Sequence, residues 1–122
     1  MKVRIKKLDL DAVIPQKAHQ TDAGYDLVAI GVDEDRKRNI VTYHTGIAVE
    51  MPEGVIGLLF PPNDIYRHQL YLSDSIGVVN TNCKEEIVFR YRLIHPHISR
   101  YTIGDVVGSI LFIQIPIIDI AL

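Results

Sequence analysis

Apolar and polar residues alternate along most of this chain, with the two-residue period of strands that bury one face. Val3 and Ile5, with Leu8 beyond them, alternate with Arg4, Lys6 and Lys7, which predicts a half-buried strand. Ile40 to Met51 reads as two short strand segments around Gly46. Pro52-Glu-Gly54 predicts a turn, because proline presets φ and glycine accepts a positive one. Val55 to Phe60 follows as a buried strand, and Leu70 to Leu72, Ile87 to Ile94 and Val106 to Ile115 are further strands. Asp33-Glu-Asp35 predicts a solvated hairpin turn. No segment holds a 3.6-residue period over a helical length; the nearest, Asp64 to Gln69, is too short to stand alone. Short strands punctuated by Gly and Pro predict an all-β sandwich or jelly-roll barrel, with residues 1–122 as one domain.

The last stretch departs from alternation. Ile110 to Leu122 is mostly large apolar residues, and such an edge exposed in a monomer would invite aggregation. Pro116 disfavours one continuous central strand. Two readings follow: a core strand, or burial at a subunit interface with the residues after Pro116 lying on a neighbour. The second makes Ile110, Phe112, Ile115, Ile117, Ile118, Ile120 and Leu122 interface residues.

Composition narrows the function classes. Hydrophobic residues make up 48% of the chain, which fits a packed core rather than disorder. The net charge of −2 argues against a direct grip on nucleic acid, and the small basic clusters at Lys2 to Lys7 and Arg36 to Arg38 suit solvated faces. Cys83 is the only cysteine, so no internal disulfide forms, which fits a reducing compartment. Charges interrupt every apolar run near Met1, and nothing approaches the ~18 uninterrupted apolar residues of a membrane span. A protein neither secreted nor membrane-bound is expected. His95 and His97 are the only close pair of potential metal ligands, but Pro96 and the lack of a nearby Cys or Glu argue against a metal site. His44 and His68 read as lone, partly exposed histidines.

The stretch from Phe60 to Asn80 carries the most specific signal. Its frame of Phe60, Pro61, Leu70, Leu72, Ser75, Gly77 and Val78 resembles the centre of trimeric dUTPases, where F-P-R-S-S precedes L-x-L-x-N-S-x-G-V-I-D. Asp22-Ala-Gly-Tyr-Asp-Leu27 is similar to that family's A-G-x-D-L motif, and Thr45 to Gly54 looks like its T-G-I-x-x-x-x-P-x-G segment. The resemblance implies that Asp26 helps hold a magnesium triphosphate through water.

The chain departs from the family where chemistry is done. P-R-S-S becomes Pro61-Pro-Asn-Asp64, so Pro62 stands where an arginine would bind phosphate and Asp64 adds a negative charge. Arg67 is the one nearby candidate to substitute. Asn80 replaces the general base that activates water, and Cys83 replaces the tyrosine that packs under the deoxyribose. Val106 and Ser109 replace an arginine and a glutamine, and the closing glycine-rich arm is not found before Leu122.

The resemblance therefore implies a dUTPase-fold homotrimer with C-terminal strand exchange, and the replacements lean the reading away from an enzyme. On that reading no residue is catalytic, and Asp26, Asn63, Gly77, Val78, Cys83, Glu86 and Ser109 are remnants of nucleotide binding around the degenerate base position Asn80. No cofactor is expected. The function is then structural: a phage-encoded trimer that decorates or cements a capsid, found in cytoplasm or virion. Two other classes stand beside it. One is a divergent dUTP diphosphatase that needs magnesium and makes dUMP and diphosphate, with Asp26 and Glu86 as its acidic candidates. The other is a module that senses nucleotide without cleaving it.

Overall fold

Alternation decides which face each strand buries. In β4 (Ile40–His44) Val41 and Tyr43 point inward, and in β9 (Val88–Leu93) Phe89 and Tyr91 do so. In β6 (Val55–Phe60) the inward set is Val55, Gly57 and Leu59. The other strands are β1 (Arg4–Lys7), β2 (Tyr25–Val28), β3 (Gly31–Asp35), β5 (Ile47–Glu50), β7 (Leu70–Leu72), β8 (Gly77–Val79) and β10 (Val106–Gln114). These are the strands of a computed structural model that describes residues 1–95 and 100–122. Among the described residues the only helical element is a 3-10 turn at Ile65–Arg67. The all-β expectation is met.

Every strand pair is antiparallel. One four-stranded sheet has the order β2-β10-β6-β8, a second has β3-β4-β9-β7, and β1 pairs with β5 alone. The two larger sheets share one core. Register sets Val41 against Tyr91 and Tyr43 against Phe89 in the second sheet, and Ile110 against Leu59 in the first. Burial of each such side chain contributes roughly 1.5–3 kcal/mol.

A bulge lies at the centre of this core. The register of β10 on β2 shifts between Val106 and Gly108, so the consecutive residues Val107 and Gly108 are both buried. Gly108 is there for space. A Cβ at this position would sit 2.1 Å from Phe89 Cε1 of the opposite sheet. Past the bulge, Ser109 lies directly across from Asp26 on one side and Phe60 on the other.

Several expectations need correction. Asp33 to Asp35 are not a turn but the end of β3; residues 36–39 make the turn, with Asn39 at φ 54°. The strands β2, β3 and β8 had no strong sequence signal. Ile110 is fully buried in its own core and is no interface residue, while Phe112 is half-buried, packing on that core with its ring 5.9 Å from Tyr25. The apolar tail divides instead at Ile115, whose N–H still donates to the Gly54 carbonyl. Ile117, Ile118, Ile120 and Leu122 are exposed beyond it. Of the His95–His97 pair, His97 lies outside the described residues.

His44 is not a lone histidine. Its Nδ1 lies 2.8 Å from Glu86 Oε1 and its Nε2 lies 2.6 Å from Asp33 Oδ2. Glu86 Oε2 also accepts the Gly46 N–H at 2.8 Å, so the ring joins β3, β4 and the segment leading to β9. The hydrogen bond to Glu86 raises the His44 pKa above its ordinary 6.5; burial opposes this, and Asp33 adds to it. A pKa raised on folding gives stability that is full below the unfolded value of 6.5 and is lost as pH rises through the folded value. Thermal unfolding of the native chain should therefore show the midpoint falling from about pH 6 to about pH 8. In His44→Gln that slope should flatten, and an unchanged slope would assign it to other groups.

Candidate functional site

The pairing of β2 with β10 fixes the floor of a cleft. In a strand pair, residues directly opposite share a face, so Asp26 and Ser109 stand side by side. Gly24 makes room for that arrangement, since a Cβ there would press on Ser109 Oγ at 3.1 Å. β6 ends beside them at Phe60, and Pro61 to Asp64 turn over the edge as one wall. The residues 18–22 form another wall, pinned where Asp22 Oδ2 accepts the His19 N–H at 3.0 Å. The cleft encloses about 720 Å³. It runs into a shallower recess of about 530 Å³ lined by Phe60, Ile65 and Leu111.

The far wall is built from the core outward. Tyr43 of β4 donates to the Tyr101 carbonyl at 2.8 Å, and Tyr91 of β9 donates to the Val107 carbonyl at 2.6 Å. The three tyrosine rings pack edge to face with centroids 6.0–6.1 Å apart. Burial pushes the Tyr43 hydroxyl up to about 12 and raises those of Tyr91 and Tyr101 further, so all three stay protonated donors. Tyr101 reaches the cleft and donates to Asp64 Oδ1 at 2.7 Å. The His68 ring lies on Tyr101 with centroids 4.1 Å apart. Asp105 closes this side, its Oδ2 accepting the N–H and hydroxyl of Thr102.

Carboxylates dominate the electrostatics. The described lining holds Asp22, Asp26, Asp64 and Asp105 and neither lysine nor arginine. Burial raises the Asp26 pKa above 3.8, and the charge of Asp22 raises it further. The turn at residues 19–22 brings Asp22 to the mouth of β2, beside Asp26. Among the described residues no three His, Cys, Asp or Glu side chains converge to hold a metal ion.

Of the nucleotide-binding remnants expected from sequence, Asp26, Asn63 and Ser109 line the cleft. The others lie elsewhere in this protomer. Gly77 is buried against Leu59, Val78 is exposed on β8, and Asn80 is exposed at the turn beyond it. Cys83 packs against the core, and Glu86 is engaged with His44. Arg67 does not enter the cleft; its Nε donates to the Tyr66 hydroxyl. Sequence reasoning missed His19, His68, Tyr101 and Asp105. Tyr101 carried one usable signal: it is a large aromatic next to the Thr102-x-Gly-Asp105 turn, which needs an anchor.

No protein-family model matches the chain. The chain is 35% identical over 88 residues to the deoxyuridine 5'-triphosphate nucleotidohydrolase of Trichodesmium erythraeum, covering 71% of this chain and 62% of that protein. The chain thus spans about three fifths of that curated relative. The enzyme of the same name from Corynebacterium glutamicum is 29% identical over 121 residues, covering 96% of this chain and 80% of that protein. Among solved structures, a dUTPase from phage phi11 of Staphylococcus aureus matches with a TM-score of 0.81 at 19% identity, over 100% of this chain and 96% of that one. That structure concerns the coordination of a structural Mg(II) ion. Relatives named for an enzyme overturn the expectation that leaned away from enzymatic activity. The replacements at Pro62, Asn80, Cys83 and Val106 remove particular donors, but the cleft keeps its carboxylates. The capsid-decoration role gains no support from these relatives.

The two raising causes at Asp26 can be separated. In Asp22→Asn the Asp26 carboxyl should titrate lower than in the native chain, yet still above 3.8, because burial remains. Carboxyl-carbon NMR titration reads this directly, and an unchanged midpoint would mean that Asp22 exerts no field there.

Proposed function

Because this chain belongs to the dUTPase family, we propose that it is a divergent dUTP diphosphatase, cleaving dUTP to dUMP and diphosphate in the cleft beside β2 and β10. The observation that carries the reading is the cross-strand pair of Asp26 and Ser109, with Asp22 close enough to shift the Asp26 pKa. Four carboxylates without a lysine or arginine would repel a bare triphosphate. The substrate is therefore its magnesium complex, with the ion carried in by the phosphates rather than caged by the protein. Asp22 and Asp26 then face the magnesium, and Asn63 and Ser109 offer polar contacts to phosphate oxygens. Pro62 and Val106 offer no such donor, so turnover is slow.

Release of dUMP and diphosphate from dUTP tests this. We expect magnesium-dependent cleavage below the typical enzyme range of about 1 to 10³ s⁻¹. Asp26→Ala should lower kcat/KM by about 10²-fold or more. Absence of dUTP turnover at any magnesium concentration, or an Asp26→Ala variant equal to the native chain, would overturn the assignment.

The assembly belongs to the same proposal. Outward residues of the β2-β10-β6-β8 sheet form an apolar face: Ile56 is opposite Ile113, and Leu58 lies between Leu111 and Val78. Val78 is 56% exposed, and the tail beyond Ile115 is apolar and uncovered. This supports a homotrimer in which the sheet face and the tail are covered by other copies. Light scattering at micromolar concentration should give a mass of three chains. Deleting residues 116–122 should lower it, and a stable monomer would refute the trimer.

A further inference from the structure

Hydrolysis needs a group that takes a proton from water, and Asn80 cannot serve. We propose that Asp64 is the general base of this cleft and that Tyr101 is its positioning residue; the inference rests on the dUTP diphosphatase reading above. The four cleft aspartates are not equivalent. Asp105 Oδ2 is taken by the N–H and hydroxyl of Thr102, and Asp22 Oδ2 is taken by the His19 N–H. Asp26 lies at the cleft floor beside Asp22, in the pair that the reading above gives to the magnesium complex.

Asp64 differs in the group that holds it, a hydroxyl from the buried tyrosine stack rather than an exposed local turn. Oδ1 accepts the Tyr101 hydroxyl at 2.7 Å. Oδ2 has His68 Nε2 at 3.8 Å, beyond hydrogen-bonding distance, and the side chain is half exposed to the cleft. One oxygen is thus fixed and the other can meet water. The fixing group is itself rigid. Tyr101 is 4% exposed, its carbonyl is held by Tyr43, and its ring is packed by Tyr43, Tyr91 and His68. A base set on such a support keeps its aim through the reaction, as a catalytic carboxylate must.

The step balances. The water oxygen bonds to the α-phosphorus, and the bond from that phosphorus to the bridging oxygen breaks. Diphosphate leaves with the electron pair. The water proton passes to Asp64 Oδ2 and on to solvent.

Steady-state dUTP hydrolysis by Asp64→Asn, Asp64→Glu and Tyr101→Phe tests the assignment. Asn can still accept the Tyr101 hydroxyl but cannot act as a base. Asp64→Asn should therefore lose about 10²- to 10⁴-fold in kcat with KM little changed. Asp64→Glu should recover part of that loss. Tyr101→Phe keeps the ring packing and removes the hydroxyl, and should lower kcat about tenfold. Thermal midpoints near that of the native chain would separate these losses from unfolding. An active native enzyme whose Asp64→Asn variant keeps its kcat would overturn Asp64 as base while leaving the diphosphatase reading intact. A native chain without dUTP turnover would overturn both.

Discussion

The Tyr91 hydroxyl donating to the Val107 carbonyl is the contact on which the arrangement depends. Val107 is the extra residue of the bulge in β10, so its peptide departs from the regular ladder to β2. A buried carbonyl without a donor would cost about 1–3 kcal/mol. Tyr91 supplies that donor from the opposite sheet, which ties the two sheets together at the place where one is irregular. The bulge in turn places Ser109 beside Asp26, and the same tyrosine stack carries Tyr101 to the cleft. Core packing and site geometry are therefore one structure.

The parts of the fold legible in sequence were those whose side chains face two environments. β4, β6 and β9 alternate cleanly because one side packs on the core and the other meets solvent. β3 was misread because it is an edge strand, paired only with β4, and Asp33 and Glu34 are both exposed. None of its residues is buried; backbone pairing and polar side-chain contacts hold it, and these leave no apolar periodicity. β8 is three residues long, too short for a pattern.

The site was legible only in part. Asp26, Asn63 and Ser109 could be named from motif position, and all three line the cleft. Tyr101 and His68 could not, because they reach it through packing between segments distant in sequence. Weighing the chemistry lost at single positions also misled the functional reading. Pro62 and Asn80 say what this chain cannot do in the usual way, while the four aspartates, brought together by folding, were not visible as a group.

The acidic edge of β3 has a consequence for how copies of this chain meet. A sheet edge offers a row of unpaired amide groups to any passing strand. Here Asp33, Glu34 and Asp35 line that edge, so a second β3 approaching side by side would bring like charge onto like charge. Arg100, Arg38 and His44 each meet one of these carboxylates from within the chain, yet Asp33 stays largely exposed. The opposite sheet has an apolar outer face and carries no such charge on β8. One sheet thus ends in an acidic edge while the other presents an apolar outer face, so the two sides of the molecule meet water on opposite terms.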